Sequence, residues 1–578
     1  MPSMSLAALR RAGLGLLLLM SVGFAHAAAA APTPPDWCPR PEPGSPVPEP
    51  RELRSNAGVL RLDLTIRSYP AANGAMHYCY LLADGSQSPT LRLNPGDLLD
   101  LRLTNRLTAP PASAMPPGMR MDIDLGHHGG DACASGAMSA TATNLHFHGL
   151  TVPAKCHQDE VLQTSIQPDD PPFEYKFRIP PGEAPGLYWY HPHIHGFSSE
   201  QVMGGASGAM IIEGLERAVP ELAGLPERVL IIRDQELLNP DAPPSKFEPV
   251  VPKNLIDRDG DAANNGTGFG KPAKDLSVNF VPVPYPNYPP ATLLLKPGER
   301  QLWRVLNASA ITYLNLAVLF GHNTPQQLGL AAIDGVPMNW RGGSTPALTT
   351  VDHIGIPPGG RVEFVLSGPP QGVPALLVTR TVDTGNGGEN DPNRALARLV
   401  ADANAPALQS RLPVHPTPLP APQRPWLGDV QPVRVRKLYF SEVLENPKDP
   451  NSATTFFITV EGQTPQAYDP ANATPNITVR QGDVEDWIIE NRTQELHAFH
   501  IHQLHFALID WNGVPVNEPF LRDTVNVPYF SDKMLQYPSV RVRMDFRDPD
   551  TVGTFVYHCH LLEHEDAGMM GVIRVEPR

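Results

Sequence analysis

The chain has 578 residues, 41% hydrophobic and 18% charged, nearly four times a typical domain, so two to four domains with sizeable cores are expected. Its 67 prolines and 47 glycines exclude a helical bundle, because interior prolines break helices, and favour an all-β chain of short strands, turns and long loops. A net charge of −15 argues against a nucleic-acid partner, while the 20 histidines are more than an ordinary chain carries and point to metal.

The first segment reads as a signal peptide over residues 1–27. Arg10 and Arg11 supply a positive start, Leu14 to Phe24 an apolar core, and Ala25-His26-Ala27 a small-residue cleavage pattern. Nothing later reaches about 18 consecutive apolar residues, so no membrane span is expected. The expectation is a soluble protein exported to the periplasm or beyond, and the Arg10-Arg11 pair resembles a twin-arginine signal. Cys38, Cys79, Cys133 and Cys156 fall in the first third, where an oxidising compartment permits disulfides in any of three pairings. Cys559 stands apart near the other end.

Three segments then repeat one pattern: Leu93-Asn94-Pro95-Gly96-Asp97, Leu295-Lys296-Pro297-Gly298-Glu299 and Val479-Arg480-Gln481-Gly482-Asp483. Each runs on through an apolar stretch to an asparagine nine residues after its glycine: Asn105, Asn307 and Asn491. Strand, tight turn and strand is the reading, and a domain-sized period implies three copies of one β-sandwich. A proline-rich run from Ala403 to Pro432 reads as extended linker. The predicted domains are 36–215, 226–402 and 430–578, with the linker at 403–429.

A second repeat joins only the outer copies. Gly186-Leu-Tyr-Trp-Tyr-His191-Pro-His193 aligns with Gly553-Thr-Phe-Val-Tyr-His558-Cys559-His560, and His146-Phe-His148 with His500-Ile-His502. The middle copy has a strand-like stretch at Ala375 to Thr381 but no histidine pair. On a strand, residues i and i+2 share a face about 7 Å apart, so each His-x-His presents two imidazoles together. Eight imidazoles exceed one metal and suit a cluster of three, which requires the outer copies to meet. Cys559 must face away from that cluster, as must His497, offset by three from His500. With His564 and Met569 they form two histidines, a thiolate and a distant methionine, the ligand set of a blue-copper site. Structural zinc sites prefer cysteine-rich sets of four and fit less well. His127, His128, His195 and His505 lack partners in the repeat and read as structural or supporting residues.

These motifs, ending in His558-Cys559-His560-Leu-Leu-Glu-His564, resemble the four copper motifs of the multicopper oxidases, which include laccases and bacterial copper efflux oxidases. The resemblance covers all three predicted domains and implies three cupredoxin-like Greek-key sandwiches with four copper ions. By motif position, His146 and His500 would hold the type 2 copper. His148, His191, His193, His502, His558 and His560 would hold the type 3 pair, and His497, Cys559, His564 and axial Met569 the type 1 copper. Ala498 and Gln503 stand where the family has proline and glycine. The methionine-rich insert of the efflux oxidases is absent; Thr493-Gln494-Glu495 replaces their acid–methionine pair, and the only methionine clustering is Met115, Met119 and Met121.

The implied activity couples four one-electron oxidations of a phenol, aromatic amine or metal ion to reduction of dioxygen to two waters. Electrons would enter through the edge of His497 or His564. Glu565 matches the family's proton-delivering acid, and Asp159 resembles its second acid with a spacing two residues longer. The alternatives are a periplasmic cuprous oxidase of copper tolerance and a copper-binding protein without organic turnover. A two-domain nitrite reductase would lack the third repeat, and a copper-free scaffold would lack ligands.

Overall fold

The computed structural model describes residues 36–71, 73–109, 131–134, 138–243, 270–321, 323–342, 345–417, 419, 424–446, 453–472 and 474–578. The predicted signal segment, His127, His128 and the three clustered methionines lie outside the described residues. The strands form six sheets that pair along the chain into three β-sandwiches. One apolar cluster fills each: residues from Leu60 to Ile212, a second chiefly from Leu230 to Leu399, and a third chiefly from Leu438 to Val575.

The repeated turn is the corner of each sandwich. Thr90–Leu93 belongs to one sheet of the first sandwich and Leu98–Arg106 to the other, with Gly96 between them at φ 89°. Ala291–Leu295 and Arg300–Asn307 flank Gly298 in the same way, as do Ile477–Arg480 and Val484–Asn491 around Gly482. A positive φ costs glycine nothing, which explains its recurrence. The strand after each corner pairs in parallel with an earlier strand of the same sandwich: Val59–Pro70, Glu227–Gln235 and Arg434–Leu444 respectively. The asparagines share one role. Asn105, Asn307 and Asn491 each donate through Nδ2 to carbonyls of neighbouring loops and accept from the backbone N–H two residues on. Each therefore caps a buried strand end whose polar groups would otherwise go unpaired.

The disulfides resolve as Cys38–Cys79 and Cys133–Cys156, leaving Cys559 free and buried. The proline-rich run is partly anchored: Ser410 pairs with Pro226, and Leu412 packs with Leu215, Val219 and Leu222. Among the described residues, no helix is long and apolar enough to cross a membrane.

Candidate metal centres

The first and third sandwiches present their histidines from matched strand pairs. His146–His148 pairs antiparallel with Gly186–His191, setting His146 opposite His191. His497–Ile501 pairs antiparallel with Gly553–Cys559, setting His500 opposite His558. Only His146 and His148 lie on one strand throughout. His193, His502 and His560 each fall just past a strand end, so strand alternation alone does not account for their direction. The two halves interlock: the ring of His146 stacks on His502 at 3.7 Å, and that of His148 on His500 at 3.9 Å.

All eight imidazoles are buried. One nitrogen of most rings is fixed from outside. His146 Nδ1 lies 3.0 Å from both oxygens of Asp159, and His148 Nε2 lies 3.2 Å from Asp523 Oδ1. The Nδ1 groups of His191, His500 and His558 donate to the carbonyls of Pro192, Asp523 and Cys559 at 2.8–2.9 Å. The opposite nitrogens turn inward. His146 Nε2, His148 Nδ1, His191 Nε2 and His500 Nε2 find no hydrogen-bond partner among the described residues, nor does either nitrogen of His560. His558 Nε2 lies 3.4 Å from His193 Nε2 and 3.3 Å from His502 Nε2. Three sets offer nitrogens within 4.8 Å of one another: His146, His148 and His191; His146, His500 and His502; His193, His502 and His558. Each unpaired buried polar group costs about 1–3 kcal/mol, so such a concentration has a physical rationale only if something fills it. Burial, followed by mutual repulsion, holds the pKa of His146, His148, His193, His500, His502 and His560 well below 6.5. The rings are therefore neutral, as metal ligation requires.

A second set lies on the other face of the same strand ends. Cys559 Sγ is 3.5 Å from His497 Nδ1, which is 3.3 Å from His564 Nδ1. Burial pushes the Cys559 thiol up to about 12, so only a cation in its place would draw off the proton. Met569 is fully buried in the same apolar cluster as Cys559. These donors, one soft sulfur with two imidazoles, fit copper better than a hard cation.

Both predicted acids reach the cluster. Asp159 accepts from the Phe147 N–H at 2.8 Å and from Gln503 Nε2 at 2.5 Å besides facing His146, and burial raises it to about 7. Glu565 lies 3.6 Å from His193 Nδ1 and 3.7 Å from His558 Nδ1, with its pKa raised well above 4.5 by burial and then by Asp566. His505 Nε2 lies 3.0 Å from the Asp334 carbonyl and 3.5 Å from Asp523 Oδ2, and His195 packs edge-on against Tyr468. Sequence reasoning missed Asp523 and Arg361, which carry no metal-motif spacing; Arg361 also sits in the histidine-poor middle copy. It noted Gln503 only as a departure, although its side chain reaches Asp159. Of the two histidines named for electron entry, His564 borders a cleft of about 1510 Å³, and Phe456 stacks on its ring at 4.1 Å.

Paired clusters of buried imidazoles, one joined to a cysteine, define a copper-dependent oxidoreductase built on cupredoxin-like sandwiches. A family model described as multicopper oxidase matches residues 442–578, and a second of the same description matches residues 137–217, the two segments that carry the histidine motifs. The chain is 22% identical over 494 residues to a multicopper oxidase of Staphylococcus aureus, covering 84% of this chain and 81% of that protein. It is 21% identical over 497 residues to a laccase of Bacillus subtilis (strain 168), covering 83% and 88%. A solved multicopper oxidase of Campylobacter jejuni, described as a metallo-oxidase, shares the fold with a TM-score of 0.61 at 22% identity, covering 93% of this chain and 96% of that one. The two histidine-bearing segments thus match multicopper oxidase domains, and the relatives named carry the same description or that of a laccase.

Proposed function

We propose that this oxidase takes single electrons from a small reductant in the His564 cleft and passes them to dioxygen at the histidine cluster. The carrying observation is the convergence of eight buried imidazoles from two sandwiches beside a cysteine flanked by two of them. His497, Cys559, His564 and Met569 would hold the type 1 copper, His146 and His500 the type 2 copper, and the other six histidines the type 3 pair. Bound copper supplies the one-electron couple and, as four ions, the capacity to reduce dioxygen to two waters. The chain's own residues do the rest. The edge of His564 and the ring of Phe456 offer the reductant a contact surface in the cleft. Cys559 links that site covalently to His558 and His560. Glu565, buried between His193 and His558, is placed to give protons to reduced oxygen, and Asp159 holds His146 by its Nδ1. Two disulfides accord with export to an oxidising compartment, and the three pairs of sheets support a division into domains 36–215, 226–402 and 430–578.

The reductant is a phenol, an aromatic amine or a metal ion. The Glu495 carboxylate, 3.6 Å from His564 Nε2 and 3.8 Å from His497 Nε2, favours the cationic members of that set. Oxygen uptake by the copper-loaded protein, with a phenol, an aromatic amine and cuprous ion in parallel, tests this. Uptake with at least one donor at four electrons per dioxygen is expected. No uptake with any donor by fully loaded protein would leave a copper-binding protein instead.

A further inference from the structure

The middle sandwich carries none of the predicted ligands, yet it reaches the cluster. We propose that Arg361 of the middle sandwich is a positioning residue that sets which ring nitrogen His148 offers to copper, acting through Asp523. This rests on the ligand reading above.

Arg361 opens the strand Arg361–Ser367 and is completely buried. Its Nη1 donates to Asp523 Oδ1 at 2.8 Å and to the Gly359 carbonyl at 3.0 Å, its Nη2 donates to Asp523 Oδ2, and its Nε donates to the Leu187 carbonyl at 3.2 Å. A two-pronged guanidinium contact fixes both the position and the plane of the carboxylate. The Oδ1 so fixed lies 3.2 Å from His148 Nε2 and accepts from Thr524 Oγ1 at 2.9 Å. The backbone carbonyl of the same Asp523 accepts from His500 Nδ1 at 2.8 Å. One residue therefore orients two stacked imidazoles in opposite senses, leaving Nδ1 of His148 and Nε2 of His500 facing inward. His146, only two residues from His148 on the same strand, offers Nε2. The strand does not dictate the choice of nitrogen; the outer partner does.

Two glycines make room for this arrangement. Gly149, directly after His148, has φ 89°, and a Cβ there would stand 2.6 Å from Arg361 Nη2 and 2.7 Å from Asp523 Oδ2. Gly359, two residues before Arg361, has φ 79°, and its Cβ would stand 2.7 Å from the ring of His560. The middle sandwich thus lies against the ligand set at His148 and at His560.

The test uses the copper-loaded full chain with Arg361→Lys, Arg361→Met and Asp523→Asn. Chelator competition would measure cluster copper, electron paramagnetic resonance would report the non-blue copper, and the blue absorption serves as internal control. Loss of an outer hydrogen bond typically weakens metal retention by about 10–100-fold, and that is expected for the cluster with the blue band intact and the non-blue resonance altered. If Arg361→Met does not fold, Arg361→Lys and Asp523→Asn carry the comparison. Unchanged cluster retention and resonance, or parallel loss of blue and cluster copper, would overturn the proposal. His148→Ala separates the premises: if it too leaves cluster copper unchanged, the ligand assignment fails rather than the role of Arg361.

Discussion

The peptide carbonyl of Cys559 accepts a hydrogen bond from Nδ1 of the neighbouring His558 at 2.9 Å. That bond turns His558 Nε2 toward His193 and His502 while the Cys559 thiol faces His497 on the opposite side. The strand end is pinned by two further backbone bonds, Cys559 N–H to the Met569 carbonyl at 3.1 Å and His560 N–H to the Ala498 carbonyl at 2.7 Å. Neither candidate site can shift without the other, so their separation is a fixed property of the third sandwich.

Cys559→Ser should separate the two centres chemically. The backbone bonds that aim His558 and His560 survive, so the cluster should load, whereas the thiolate needed for intense visible absorption is gone. A buried hydroxyl in the thiol's apolar surroundings costs about 1–3 kcal/mol. Copper counting with an absorption spectrum checks this, and a variant as blue as the parent would show that Cys559 is no ligand.

Gln503 joins a backbone requirement to a side-chain one. It adopts φ 59°, where glycine is more comfortable by about 1 kcal/mol, yet its side chain donates to buried Asp159. Gln503→Ala loses the bond to the carboxylate, worth about 1.5–3 kcal/mol, with no relief of the backbone. Gln503→Gly should lose the same bond but lie about 1 kcal/mol above Ala. Unfolding midpoints of the copper-free proteins should therefore rank Gln, then Gly, then Ala; Ala above Gly would refute the backbone half of the argument.

Much of this arrangement was legible in local sequence. The corner glycines and capping asparagines announced three copies of one sandwich because each does the same job at the same offset. The His-x-His pairs announced the cluster because a copper site of this kind needs several imidazoles whatever surrounds them. Their supports were less legible. Asp523 and Arg361 meet from different sandwiches, and a carboxylate facing an imidazole has no spacing signature. The disulfide pairing stayed open because it depends on which loops meet. Strand alternation predicted the directions of His146 and His148 but not those of His193, His502 and His560, which lie beyond strand ends where hydrogen bonds and ring packing decide.

Glu227 should govern stability in acid. It is buried between Arg92 Nη2 at 3.1 Å and Arg304 Nε at 3.0 Å. Burial alone would raise its pKa, but the guanidiniums of Arg304 and Arg92 outweigh burial and hold it below the usual value. A depressed folded pKa contributes stability above the unfolded value of about 4.3 and loses it as pH falls through the folded value. Glu227→Gln should cost about 1.5–3 kcal/mol at neutral pH, because Arg92 keeps Glu52 and Glu213 and Arg304 keeps Glu363. The gap between parent and variant should narrow below about pH 4. Thermal midpoints at neutral and acid pH check this, and a gap that widens in acid would reverse the sign of the argument.

On the proposed ligand set either Met569 or Met570 would supply the weak thioether beside Cys559, and packing distinguishes them. Met569 shares an apolar cluster with Cys559, Phe555 and Leu561, and its N–H donates to the His564 carbonyl at 2.9 Å. Met570 instead packs with Val161, Leu162 and Val556. A thioether donates weakly to copper and favours the oxidised ion more than a hydrocarbon does, so Met569→Leu should raise the potential. The absorption band should persist because His497, Cys559 and His564 remain. Exchanging methionine for leucine conserves volume and should cost under about 1.5 kcal/mol, so a change in potential would not reflect a damaged core. Met570→Leu should leave the potential where it was. Redox titration of both variants decides the matter, and a shift confined to Met570→Leu would move the axial ligand one residue along the chain.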